Sequence, residues 1–147
     1  MKKKIILVGG DPNSINTEII YKSWKRLPNK IKKNIFLIGS FDLFNEQFKK
    51  LKYKINLIKV DSFKDSVPQN KLKVIDVKVN FKNPFKVLKK SSSKYILQSL
   101  NLAHILGLKK DVAGIINCPI DKNLISKRKI GVTEFLASKS NVKKDRE

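Results

Sequence analysis

Three short apolar runs constrain this chain more than any other feature. They are "KIILVG" (Lys4 to Gly9), "NIFLIGS" (Asn34 to Ser40) and "VAGIINCP" (Val112 to Pro119). Each is far shorter than the roughly 20 apolar residues a membrane-spanning helix needs, and each stops at Gly, Ser or Pro. Their apolar residues are continuous and β-branched rather than alternating, which predicts strands buried on both faces. Helical patterns lie between them. Asn16 to Arg26 places Ile19, Ile20, Ser23 and Trp24 at helical spacing, with Asn13 or Ser14 as its cap and Glu18 in its first turns. After a break at "LPNK" and the second strand comes a short helix over Phe41 to Leu51, then a strand over Ile55 to Val60.

The middle of the chain is less regular. "DSFKDSVPQNK" reads as a loop, "LKVIDVKV" (Leu72 to Val79) as a strand with one wet face, and "NFKNPFKVLKK" as a connector. Ser91 to Leu108 is the clearest helix, opened by serines and ending near Gly107. Ile120 to Lys127 reads as a short helical stretch or loop, and Thr133 to Ser140 begins another helix after Gly131. The alternation predicts an α/β fold, a mostly parallel sheet covered by helices. Sites in such sheets form beyond the carboxyl ends of strands, where Gly9–Ser14, Cys118–Lys122 and Gly131–Glu134 converge.

A chain of 147 residues, 41% hydrophobic and 31% charged, has the composition of one globular domain. The basic start followed by an apolar run resembles a signal peptide, but the run meets Asp11 after five residues. We read a first strand of a cytoplasmic protein without a membrane partner. The single Cys118 cannot form an internal disulfide, consistent with a reducing compartment. The net charge of +21 invites a nucleic-acid partner. Against that, only Arg26, Arg128 and Arg146 of the 33 basic residues are arginine, and the lysines are spread along the whole chain. The competing readings are a basic binding module and a degenerate, non-catalytic remnant of the fold.

The motifs have simple structural readings. "GGDPN" lacks both G-x-G-x-x-G and G-K-[ST], so it is neither a dinucleotide fingerprint nor a P-loop, and a strand-to-helix turn explains it. In "CPIDK", Lys122 can hold an anionic group with Asp121 orienting it, or the two form a solvated surface pair. Cys118 has no obvious base and reads as buried, and His104 sits among leucines. One His and one Cys cannot make a conventional zinc site. In "GVTEFLA", Thr133 caps a helix and Glu134 is favoured by its dipole.

Taken in order and spacing, these segments resemble the 4-hydroxythreonine-4-phosphate dehydrogenase family of pyridoxine biosynthesis. The family's G-D-P-A-G-I-G-P-E-I is matched by Gly10, Asp11, Pro12, Ile15, Glu18 and Ile19. Its P-[IVL]-[NH]-K is matched by Pro119, Ile120 and Lys122, and its G-H-T-E-[FY] by Gly131, Thr133, Glu134 and Phe135. The resemblance implies an isopropylmalate dehydrogenase-like fold of two lobes, active as a homodimer. It implies NAD or NADP as cofactor and a divalent metal (Zn, Mg or Co) as Lewis acid. It implies a phosphorylated small-molecule substrate, 4-phosphooxy-L-threonine, which is oxidised and then decarboxylated. Carried over by position, Thr133, Val132, Lys122, Asp121 and Asp11 are the candidate substrate contacts. Val132 stands where the family has histidine, Asp121 where it has Asn or His, and "NSINT" replaces its glycine-rich turn. Family members are roughly twice this length, in keeping with two-lobed enzymes. The expectation is therefore an amino-terminal portion, one lobe plus part of the second, inactive alone and with the metal ligands outside it.

Overall fold

The computed structural model describes residues 3–64, 67–68, 70–125 and 131–140. Five strands form one sheet: β1 (Lys4–Val8), β2 (Ile35–Gly39), β3 (Leu57–Lys59), β4 (Leu72–Asp76) and β5 (Val112–Asn117). Every pairing is parallel, and the order across the sheet is β3-β4-β2-β1-β5. The helices are α1 (Asn16–Arg26), α2 (Asn29–Lys32), α3 (Phe41–Lys50), α4 (Lys89–Gly107), α5 (Lys122–Ile125) and α6 (Val132–Lys139). The expected α/β class and parallel sheet are both present. Ser126 and Lys127, at the end of one expected helical stretch, and the charged tail from Asn141 lie outside the described residues.

The continuous apolar runs follow from helices on both faces. Ile5, Leu7, Leu37 and Val74 pack under Ile20 and Trp24 of α1 and Phe44 and Phe48 of α3. Ile6, Val8 and Ile38 point the other way, into Tyr95, Ile96, Leu100 and Ala103 of α4. Burying each such large side chain stabilises the fold by about 1.5–3 kcal/mol relative to exposure. The two clusters together outweigh any single surface contact. The "LPNK" break is real: Leu27, restricted by the following proline, is extended at φ −73° and ψ 137°, and α2 restarts beyond it.

Two strands differ from expectation. β4 has no wet face at Lys73. It lies between β2 and β3, so Lys73 is buried, with its Nζ donating to the Lys33 carbonyl and sitting 4.3 Å over the Phe36 ring. Burial, with a smaller contribution from Lys4, lowers its pKa. β5 is not buried on both faces either. Among the described residues it is the sheet's outer strand, and Ile116 is 57% exposed.

The turn from β2 into α3 shows how the carboxyl edge is built. Ser40 caps α3 by accepting the Leu43 N–H at 3.2 Å, and Asp76 Oδ1 at the end of β4 accepts the Phe41 N–H at 2.9 Å. The Ser40 N–H itself donates to the buried Tyr95 hydroxyl at 3.0 Å, joining the turn to α4. A Cβ on Gly39 would lie 2.7 Å from that hydroxyl and 2.6 Å from the Phe44 ring, so only glycine allows the close approach. Tyr95→Phe leaves the buried Ser40 N–H without its acceptor. It should lower stability by about 1–3 kcal/mol in urea unfolding, with the fold retained.

Candidate functional site

From β1 the chain moves to β2 on one side, whereas α4 later returns it to β5 on the other. The carboxyl ends of β1 and β5 therefore flank a topological switch point, where parallel α/β sheets place their ligands. Two of the expected loops meet there. The Asp11 N–H donates to the Pro119 carbonyl at 3.3 Å, and the Cys118 N–H donates to Val8 at 3.0 Å. Gly10 takes φ +76°, a left-handed conformation that suits glycine. A Cβ there would stand 2.8 Å from the Pro119 carbonyl oxygen and 2.5 Å from Asn16 Nδ2.

Asn16 is the fastener between these loops. Its Nδ2 donates to the Gly9 carbonyl at 3.2 Å and to the Pro119 carbonyl at 2.8 Å, and the residue is 1% exposed. A second amide, Gln47 of α3, donates to the carbonyls of Pro12 at 2.9 Å and Pro84 at 2.7 Å, and accepts the Thr17 hydroxyl. A third, Asn13, pairs with both backbone groups of Val87, each at 2.7 Å. The segment "NSINT" thus ties the elbow to α3 through Thr17 and Gln47, to the connector before α4 through Asn13, and to the loop after β5 through Asn16. None of Asn16, Gln47 or Val87 is singled out by sequence reasoning. The available signal is the run of polar residues where the resembled family has glycines.

The capping expectations are corrected here. Neither Asn13 nor Ser14 is the N-cap of α1. Asn13 is drawn to Val87, and Ile15 takes the cap position with no side-chain cap bond, while Ser14 Oγ accepts the Asn16 N–H at 3.2 Å. Thr133 does not cap α6, because the helix begins one residue earlier, with Gly131 as its N-cap. Glu18 and Glu134 do lie in first turns, where the helix dipole favours a carboxylate.

The other candidates lie along the next segment. Asp11 is half-buried and its Oδ1 accepts the Asn13 N–H at 2.9 Å, closing the turn. Asp121 makes the same kind of turn, accepting the Asn123 N–H at 2.9 Å at the start of α5. Lys122 is exposed, and a Cβ on Gly131 would be 3.8 Å from its Cε, so "PIDK" and "GVTEF" are neighbours. Thr133 is exposed, whereas Val132 is half-buried and packs against the cluster around α4. That apolar contact is the use this chain makes of the position where the resembled family has histidine.

The chemistry of the donor set limits what the site can hold. Among the described residues, no three His, Cys, Asp or Glu side chains come together as a metal site. The elbow does not fit a pyrophosphate either, because the space at Gly10 is filled by Pro119 and Asn16. Cys118 is buried, and burial raises its thiol pKa from 9.0 to about 11, the reverse of what a nucleophile needs.

A parallel α/β sheet with joined strand-end loops at its switch point is the framework of many nucleotide-dependent enzymes. The family follows from comparison with known proteins. A sequence profile described as pyridoxal phosphate biosynthetic protein PdxA matches residues 31–146, and the chain belongs to that family. No curated protein matches. A 4-hydroxythreonine-4-phosphate dehydrogenase from Burkholderia phymatum superposes with a TM-score of 0.82 at 17% identity, over 97% of this chain and 44% of that one. A Salmonella typhimurium protein provisionally assigned the same activity gives 0.78 at 21% identity, over 94% of this chain and 44% of that one. A terephthalate 1,2-cis-dihydrodiol dehydrogenase from Burkholderia xenovorans LB400 gives 0.66 at 20% identity, over 94% and 40%. At these identities the superpositions show the fold. This chain spans less than half the length of each.

Two measurements test the clasp and its neighbour. Asn16→Ala should cost about 1–3 kcal/mol in denaturant unfolding, since two carbonyls lose their donor. Asn16→Asp at pH 7 should cost more, because a carboxylate faces those carbonyls. For Cys118, the folded pKa is raised above the unfolded one. The thiol's contribution to stability is therefore fully present below pH 9.0 and is lost as pH rises through about 11. Alkylation of the folded chain should follow the higher value and that of the urea-unfolded chain the lower.

Proposed function

We propose that this chain carries substrate-facing loops of an NAD- or NADP-dependent dehydrogenase of pyridoxal phosphate biosynthesis. Its substrate is 4-phosphooxy-L-threonine, whose secondary alcohol is oxidised before the β-keto acid decarboxylates. Family membership supports the reading, and one structural observation carries it. The elbow is bonded to Pro119 at the switch point, and Lys122, three residues on, lies beside Gly131. The elbow thus meets, at the carboxyl edge of the sheet, two loops from a distant part of the chain.

The roles of the chain's own residues follow from their chemistry. The exposed Lys122 ammonium suits the phosphate or carboxylate of the substrate. The Thr133 hydroxyl can donate to an oxygen of the same molecule, and the Asp11 carboxylate suits its amino group. Asp121 positions the turn that presents Lys122. Val132 contributes shape alone.

We assign residues 1–147 to the amino-terminal portion of a two-lobed, homodimeric enzyme, inactive alone. Coverage of less than half of each solved relative supports this reading. Titration calorimetry with 4-phosphooxy-L-threonine should detect binding that Lys122→Ala weakens about tenfold or more, the effect of losing a charge-assisted hydrogen bond. The chain with substrate, a divalent metal and NAD or NADP should give no reduced cofactor. Absence of binding would sink the substrate assignment, and turnover by the chain alone would sink the assignment of inactivity.

A further inference from the structure

Lysines are spread along the whole chain, but carboxylates are not. Residues 77–110 carry eight lysines and no Asp or Glu, in a chain with 12 acidic residues. They form the connector from β4 to α4, α4 itself and the turn after it. The carboxylates at either end are engaged elsewhere. Asp76 accepts the Phe41 N–H at 2.9 Å and lies 3.6 Å from Lys59, and Asp111 pairs with Lys4 at 2.9 Å.

The connector and the first turns of α4 border two adjoining cavities, of about 430 Å³ and 220 Å³, that share Asn80 and Ser91. Lys82 and Lys86 line the larger, Lys78 and Lys94 the smaller, and no acidic residue lines either. All four lysines are exposed, and none takes part in an ion pair among the described residues. Phe81 lines the larger cavity beside them, and Phe85 is 38% exposed on the same connector. The wall is fixed before any ligand arrives. Gln47 donates to the Pro84 carbonyl at 2.7 Å, Asn13 bonds both backbone groups of Val87, and Asn83 Oδ1 accepts the Phe85 N–H at 2.9 Å. A cleft lined by one sign of charge focuses its field and concentrates ligands of the opposite sign.

We propose that these two cavities form a sequence-tolerant binding site for single-stranded nucleic acid, with the four lysines on its phosphates and Phe81 against a base. A positive groove with an aromatic platform is the general construction of such sites, since every base has a face to stack and every nucleotide a phosphate. Lysine without arginine suits contact with phosphates rather than the reading of base edges. A duplex fits less well, because it is read by an element that enters its groove, whereas these side chains line hollows. A lipid surface fits less well too, because the apolar face of α4 is buried in the core and cannot enter a bilayer. None of the lining residues is among the candidate substrate contacts, so the proposal is independent of the dehydrogenase reading.

The test follows the fluorescence anisotropy of a labelled oligothymidylate of about 12 nucleotides against salt concentration. Lys78→Gln, Lys82→Gln, Lys86→Gln and Lys94→Gln together should weaken binding about 100-fold or more near physiological salt. They should also reduce the slope of log affinity against log salt by about 3, as four lost phosphate contacts require. Four exposed lysines changed elsewhere, Lys30, Lys49, Lys50 and Lys54 to Gln, should have a much smaller effect. Phe81→Leu should weaken binding about tenfold and leave the slope unchanged, since it removes a stacked base and not a phosphate contact. Both lysine sets are exposed and should retain the far-ultraviolet spectrum of the parent. Equal weakening by the two sets overturns the proposal in favour of attraction by net charge. Indifference to Phe81→Leu overturns it in favour of a site for polyanions in general. Displacement of the oligonucleotide by an equal concentration of ADP overturns it in favour of a free nucleotide. Phosphatidylserine vesicles held through the same four lysines, with no oligonucleotide bound, overturn it in favour of a membrane surface.

Discussion

The side-chain amide of Asn16 joins the carboxyl ends of β1 and β5, and the arrangement of the candidate site depends on it. Two backbone carbonyls, of Gly9 and Pro119, would otherwise face each other across the switch point without a common donor. The amide is almost fully buried, so water cannot replace it, and its worth is set by the cost of leaving those carbonyls unpaired. Its Oδ1 is buried without a hydrogen-bond partner among the described residues, the residual cost of placing an amide there. Gly10 then has to be glycine, because its backbone passes so close to Pro119 and to Asn16 itself.

Gln47 extends the same logic one layer outward. It stands on α3, yet its donors reach the elbow at Pro12 and the connector at Pro84. Together with the Asn13–Val87 pair, it makes the elbow, α3 and the start of α4 one polar assembly. A glycine-rich turn can approach a ligand with its backbone, whereas an amide-filled one is stiffer and more closed. This chain's elbow is of the second kind. Val132 likewise serves packing, against the cluster around α4.

The overwhelming positive charge has little part in either feature. Lysines occupy the solvated faces and the β3 edge, and the one lysine buried among the described residues, Lys73, is held by a carbonyl and an aromatic ring. They are missing from β5.

The sequence by itself determined the fold class, because continuous β-branched runs separated by helical periods leave few alternatives to a covered parallel sheet. It also pointed to the strand-end loops, since only a few segments follow those strands. Boundaries and partners were decided by tertiary structure. Leu72 to Val79 alternates like a strand with a wet face, but the central place of β4 in the sheet buries Lys73. Val112 to Pro119 reads as doubly buried, yet the outer place of β5 among the described residues leaves Ile116 exposed. Asn13 reads as a cap and becomes a bridge, because a backbone 74 residues away supplies both a donor and an acceptor. Local pattern encodes what a residue prefers. Which neighbour satisfies that preference depends on strand order, and strand order is set by contacts between distant segments that no local window contains.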